Sequence, residues 1–236
     1  MEVARSQTDV VIQGIKAMIT EGKLSSGSRL PVEKDLATML GVSRGSLREG
    51  VRALAMLGVL ETRQGDGTYV TSLDASLLLN PLGLLAELQP PEDSVHLLGV
   101  RRILEAESAA QAAIGLTDDE LAELEEILAR VDGILDSDPE VDVDSFIEAD
   151  TEFHQMIARA SGNTALAALI ESLISRTFRA RVWRAITERG AVRQAQAEHR
   201  AILAELRRRD PERARIRMAV HVLGVEDYAG DHRDDL

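Results

Sequence analysis

Asp150 and His154 stand four residues apart in a stretch of helical composition, so they share one helix face and could hold one ligand between them. Two more of the chain's five histidines, His199 and His221, fall mid-helix further on, beside apolar neighbours such as Ile202 and Val222. One carboxylate with three imidazoles suits a divalent metal ion, zinc foremost, with nickel, iron or manganese also matched, and leaves positions open if the ion is five- or six-coordinate. A hydrogen-bonded core histidine is the competing account for each taken singly. No cysteine is present, which excludes thiolate chemistry and leaves nitrogen and oxygen as the only metal donors.

A second constellation lies near the other end of the chain. Arg44, Arg48 and Arg52 recur every four residues and line one side of a helix, while Leu47, Val51 and Leu54 take the opposite side. Arginine is the side chain suited to bidentate contact with guanine O6 and N7, and the early positions, Arg44 and Arg48, lie nearest the end that would enter a major groove. Ser43 and Ser46 add hydroxyls able to reach phosphate, and the helix N-terminus itself favours anions. Three arginines at this spacing also fit a plain solvated face, so the surrounding elements decide.

Those elements read as a helix over 8–21, a turn-rich link ending in Leu30 and Pro31, a short helix over 32–40, a break at Gly41 and Val42, and a helix over 43–57 with Ser43 as N-cap. Strand-like runs over 59–63 and 68–72 flank Gln64, Gly65, Asp66 and Gly67 and predict a β-hairpin, whose glycines let its tip lie against a nucleic-acid backbone or minor groove. Beyond residue 74 strand signals vanish. Helices are expected over 75–87, 92–114, 118–135, 143–161, 164–188, 191–209 and 211–228, an all-α antiparallel bundle of about seven helices. Thr117 with Glu120 forms a capping box, Asp210 with Pro211 opens the last helix, and Asn163 suits a cap better than a ligand contact.

The predicted organisation is therefore mostly α, with a first domain over 1–74 and a second over 75–236. The net charge of -13 argues against nucleic acid only until it is divided. Residues 1–75 carry nine Lys and Arg against nine Asp and Glu, and the remainder carries 18 against 31, so the whole acidic excess belongs to the second part. A neutral first domain with its cations on one face can still bind phosphate. No run approaches the roughly 20 apolar residues of a membrane span, and the N-terminus lacks the basic-then-apolar pattern of a signal peptide, so a cytoplasmic protein without membrane partners is expected.

The spaced residues Gly22, Leu24, Gly27, Leu30, Pro31, Leu36, Ala37, Leu40, Gly41, Ser43, Arg44, Arg48, Glu49, Leu54, Gly58, Gly65, Gly67, Tyr69 and Val70 resemble the winged helix-turn-helix of the GntR family of bacterial regulators. That resemblance implies base and phosphate contacts from Arg44 and Arg48, a backbone contact from Lys34, and a wing containing Gly65. Gly45 departs from the family, where a bulkier residue is common. Arg101, Leu104 and Glu105, then Asp150, Phe153, His154, Ile157, Gly162 and Asn163, then Glu198, His199 and Ile202, then His221 resemble the FCD effector domain of the FadR-type branch. It implies Asp150, His154, His199 and His221 as a metal shell that a small organic acid completes.

Arg101 is assigned to the acid's carboxylate, its alternative being an ion pair with Glu105 one turn on. Arg176, Arg179, Arg181 and Arg184 could add charge to the pocket or form plain surface, and most are expected at the surface. Together these readings predict a homodimeric, ligand-responsive DNA-binding repressor of a metabolic operon on a palindromic operator, and not an enzyme. The alternative is a metal-dependent hydrolase or lyase acting on small acids, against which stand the missing HExxH, G-x-S-x-G and phosphate-loop signatures.

Overall fold

Helix borders in this chain are set by hydrogen-bonding side chains, and each can be followed in the computed structural model, which describes residues 6–74, 94–137 and 142–232. The chain divides into two compact units, residues 1–84 and 85–236. The helix expected over 75–87 lies outside the described residues.

In the first unit α1 (Gln7–Thr20) opens on a reciprocal capping box between Ser6 and Asp9. Helix α2 (Glu33–Leu40) ends at Gly41, whose φ of 67° is the left-handed conformation that glycine adopts without strain. Helix α3 (Arg44–Met56) is capped by the Ser43 hydroxyl, which accepts from the Ser46 amide at 3.1 Å. Strands β1 (Leu60–Arg63) and β2 (Gly67–Val70) pair antiparallel, Leu60 opposite Val70 and Arg63 opposite Gly67.

The link before α2 is more ordered than its turn-rich sequence suggests. Leu30 donates to the Thr68 carbonyl at 2.8 Å and Val70 to the Ser28 carbonyl at 2.9 Å, so it runs along the free edge of β2. Val11, Ile15, Leu36, Leu47, Leu54, Leu60 and Val70 fill the core between these elements.

Helices α1 and α3 touch through Gly50, where a Cβ would lie 2.5 Å from Val11 Cγ1. Gly50→Ala should gain about 1 kcal/mol in helix propensity but incur about 1 to 3 kcal/mol of overpacking. A net loss on the order of 1 kcal/mol is expected, read as a lower urea midpoint for this unit.

Among the described residues of the second unit seven helices follow: α4 (Ser94–Gly115), α5 (Asp118–Ser137), α6 (Val143–Ala160), α7 (Thr164–Arg176), α8 (Phe178–Thr187), α9 (Ala191–Arg207) and α10 (Pro211–Asp231). Thr117 with Glu120, Asn163 and Asp210 cap α5, α7 and α10, as their side-chain chemistry demands. Alanines 106, 109, 110, 112 and 113 keep α4 slim, and it packs against α6, α7 and α10. Ion pairs Arg102–Glu226 and Arg215–Glu107, both at 2.8 Å, show that α4 and α10 run antiparallel. Leu124, Ile127, Leu128, Phe153, Ile202 and Met218 lead the core.

One helix expected over 164–188 is two. The break falls at Thr177, which is fully buried; its hydroxyl donates to the Leu173 carbonyl at 2.9 Å and accepts from Arg101 Nη1 at 3.2 Å. No glycine or proline marks it. A tertiary bond to α4 holds this joint, where local propensity alone would continue the helix.

Candidate metal centre and nucleic-acid interface

Helix α6 contributes Asp150 and His154 from one face, α9 contributes His199 and α10 contributes His221, all four buried. One donor atom from each lies within 4.8 Å of the other three. His154 Nε2 and His221 Nε2 are 3.2 Å apart, and His199 Nε2 and His221 Nε2 are 3.1 Å apart. Asp150 Oδ1 sits 3.3 Å from His199 Nε2 and 3.7 Å from His154 Nε2.

Ligands at about 2.1 Å from a common ion are separated by roughly 3.0 Å at octahedral and 3.4 Å at tetrahedral angles, so the observed edges match a shared cation. The outer nitrogens decide the proton positions. His154 Nδ1 contacts Glu105, and His221 Nδ1 lies 2.8 Å from Glu198 Oε2. An ionised carboxylate only accepts, so each Nδ1 carries the proton and each Nε2 presents a bare lone pair to the centre. Lone pairs aimed at one another across 3.2 Å repel unless a cation lies between them. The donor set therefore fits a divalent metal.

Electrostatics keep the donors in their ligating states. Burial pushes all three histidines down toward the neutral imidazole that binds metal, although nearby carboxylates oppose it. Burial works the other way on Asp150, but the Arg181 guanidinium and the neighbouring imidazoles outweigh it and hold the carboxyl well below the usual range. Glu105 is likewise opposed by burial yet lowered to about 2 by Arg101 and His154. Phe153 packs on the His199 ring at 4.7 Å between centroids and closes the apolar wall. Glu198→Gln should weaken zinc binding by 10- to 100-fold, because the amide no longer fixes the His221 tautomer; isothermal titration measures it.

Arg101 is buried, with Nε on Glu105 and Nη1 on Thr177, so the pair one turn along α4 does form. The expectation that most of the four α7–α8 arginines lie at the surface needs correcting, because Arg181 and Arg184 are buried. Arg181 binds Asp150 Oδ2, and also donates to Thr151 Oγ1 at 3.2 Å and the Ile174 carbonyl at 3.1 Å. Both guanidiniums, with Phe146, Asp150, Val192 and His221, line a cavity of about 30 Å³ beside the histidines. Arg181 also borders a surface depression of about 350 Å³ on its other side. Arg181, Arg184, Glu105 and Glu198 are the site residues that spacing alone did not single out as metal-site partners.

In the first unit Arg44, Arg48, Arg52 and Lys34 are exposed, whereas Leu47 and Leu54 are buried, so α3 presents its arginines to solvent. Ser43 and Ser46 hydroxyls lie 2.9 Å apart, the first engaged as the helix cap. Gly65, at φ 77°, sits at the exposed wing tip with open space around it. Gly67 instead makes room for the Arg29 side chain, since a Cβ there would come within 2.7 Å of Arg29 Nε. Among the described residues no helix is long and apolar enough to cross a membrane.

Comparison with known proteins gives each part of the chain its own match. Residues 7–70 match the family described as bacterial regulatory proteins, gntR family, and residues 96–224 match the FCD domain. The HTH-type transcriptional regulator LutR of Bacillus subtilis (strain 168) is 32% identical over 223 residues, 92% of this chain and 99% of that protein. An Escherichia coli (strain K12) protein named for regulation of an L-lactate dehydrogenase operon is 35% identical over 166 residues, which cover 69% of this chain and 61% of that protein. Among solved structures, Streptococcus agalactiae GntR superposes with a TM-score of 0.66 at 29% identity, covering 93% of this chain and 99% of the other. The chain belongs to the GntR family of bacterial transcription regulators, with an FCD domain behind its helix-turn-helix.

Proposed function

We propose that this regulator is a homodimeric repressor whose reading head, residues 1–74, binds a palindromic operator of a metabolic operon and whose sensor, residues 75–236, holds a divalent ion and a small carboxylic acid. The observation that carries the reading is the convergence of Asp150, His154, His199 and His221 in a chain whose α3 exposes Arg44 and Arg48. Zinc suits the borderline donors best, and nickel, iron and manganese share the preference for imidazole with carboxylate. The ion's contribution is Lewis-acid affinity for an oxygen ligand. The relative named for an L-lactate dehydrogenase operon supports a small acid as that ligand.

The chain's own side chains orient it. Arg101 is assigned to the acid's carboxylate, which would take up bonds that Glu105 now holds, while Arg181 and Arg184 add positive charge on the cavity wall. A cavity of about 30 Å³ has room for roughly one water. An acid of several heavy atoms enters only if α8 or α9 shifts, and a ligand that binds one arrangement better than another shifts the population between them. Coupling on the order of 1 to 3 kcal/mol between acid and operator follows from such a shift.

The dimer is supported by one apolar surface. Val100, Ile103 and, three turns on, Ile114 on α4, with Ile216, Val220 and Leu223 at four- and three-residue spacings on α10, are exposed along two packed helices. A two-fold pairing there matches the symmetry of a palindrome, whose half-sites lie roughly 34 to 36 Å apart. Ile103→Glu combined with Val220→Glu is expected to convert a dimer into a monomer in light scattering, with the helical content unchanged. The ligand reading is tested by adding small monocarboxylates to zinc-loaded protein. A true effector raises the melting temperature and alters duplex affinity in anisotropy, both weakened in Arg101→Ala. The reading fails if no acid moves either signal.

A further inference from the structure

Arg29 from the link before α2, with Arg48 and Arg52 from α3, lines one groove of about 400 Å³ between α3 and the wing. Glu33 is the one acid on that groove's wall among the described residues. It is the first residue of α2, whose cap residue Val32 makes no side-chain bond, so its carboxylate meets the positive end of the helix there. Arg48 Nε donates to Glu33 Oε1 at 2.8 Å. Both side chains are substantially exposed, 65% for Arg48 and 39% for Glu33, and a pair this wet adds little to folding stability. Removing it should leave the domain folded.

We infer that Glu33 is a specificity-determining residue for DNA, acting by positioning Arg48 and cancelling part of its charge. The inference rests on the proposed role of Arg48 as a base reader. The bond occupies Nε and leaves the two Nη groups, whose spacing matches guanine O6 and N7, for end-on recognition. A guanidinium held by its Nε has fewer orientations to lose on meeting a base. Charge acts in the same direction. Random duplex is bound through its phosphates alone, and an arginine neutralised by a carboxylate attracts phosphate weakly. Glu33 thus lowers affinity for every sequence while sparing the Arg48 contact that depends on sequence.

The test uses full-length protein and a duplex enriched by it from a random-sequence library, compared with a scrambled duplex by fluorescence anisotropy between 50 and 200 mM salt, a range on the scale over which phosphate contacts respond. Glu33→Ala and Glu33→Gln are expected to bind scrambled duplex more tightly, with a log–log salt slope steeper by about one. The ratio of enriched to scrambled affinity should fall on the order of 10-fold in Glu33→Ala. Glu33→Gln keeps an oxygen acceptor for Nε, so it should show the same slope but retain more of the ratio. An unchanged slope and ratio in both variants overturns the inference. Arg48→Ala separates it from the reading beneath it: a wild-type ratio in Arg48→Ala removes Arg48 as a base reader, whereas a lost ratio there with unaltered Glu33 variants removes only Glu33. Melting curves matching the wild type confirm that each variant is folded.

Discussion

Asp150→Ala is expected to destabilise the metal-free helical unit by about 3 to 5 kcal/mol, because it leaves a buried guanidinium without its counter-charge. Asp150 and Arg181 are each about 5% exposed, and the bonds Arg181 keeps to Thr151 and the Ile174 carbonyl are to neutral oxygens. Water cannot reach the orphaned charge cheaply. Trp183, the chain's single tryptophan, sits on α8 close to Arg181 in sequence, so its fluorescence in urea reports this unit alone. Pairing the change with Arg181→Met should recover most of the loss, since an apolar replacement removes the uncompensated charge as well. His199→Ala separates metal binding from charge balance: it orphans no ion, yet it should weaken zinc by more than the 10- to 100-fold expected from a supporting carboxylate. If Asp150→Ala shifts stability by less than about 1 kcal/mol, the guanidinium has another outlet and the proposed charge balance of the site is wrong.

The second large effect is expected at the other unit. Each well-made arginine–guanine contact is worth about 1 to 3 kcal/mol of discrimination, so Arg44→Ala with Arg48→Ala should weaken an enriched duplex by roughly 30- to 20,000-fold. Binding to random duplex falls far less, by the one or two phosphate interactions removed. Arg52, two turns from the helix start, should change the salt slope more than the specificity. Anisotropy at a fixed 150 mM salt separates these outcomes, being close to the physiological ionic strength at which screening length is about 8 Å. Enriched-duplex affinity within twofold of wild type in the double variant would remove α3 as the reading helix.

Much of this architecture is written locally. Ser43, Asn163 and Asp210 carry cap chemistry that acts within three residues, and the structure uses each of them as a cap. Hydrophobic spacing likewise orients α3, since Leu47 and Leu54 are buried where the four-residue arginine period is exposed. The three-histidine cage needed more than spacing: Asp150 and His154 share a helix face, but His199 and His221 arrive from α9 and α10, and only the tertiary fold brings them within reach.

The features misread or missed depend on distant partners. Arg181 looks like a surface residue until Asp150, 31 positions earlier, is placed beside it. The joint at Thr177 has helix-compatible neighbours and is held by Arg101, 76 positions away. Glu198 adjoins His199 in sequence but serves His221. In each case the decisive term is a side-chain bond across the fold, which helical periodicity does not encode.

The buried ion network around the histidines has an arithmetic of its own. Glu105 pairs with Arg101, Asp150 with Arg181 and Glu188 with Arg184 at 2.5 Å, while Glu198 bonds the His221 ring, so with neutral imidazoles the metal-free cage carries one surplus negative charge. A divalent cation reverses that surplus to a single positive one. On the proposed reading, a monoanion would then restore neutrality inside a low-dielectric cage, whereas a dianion would overshoot it, so valence alone would sort acids before shape is consulted.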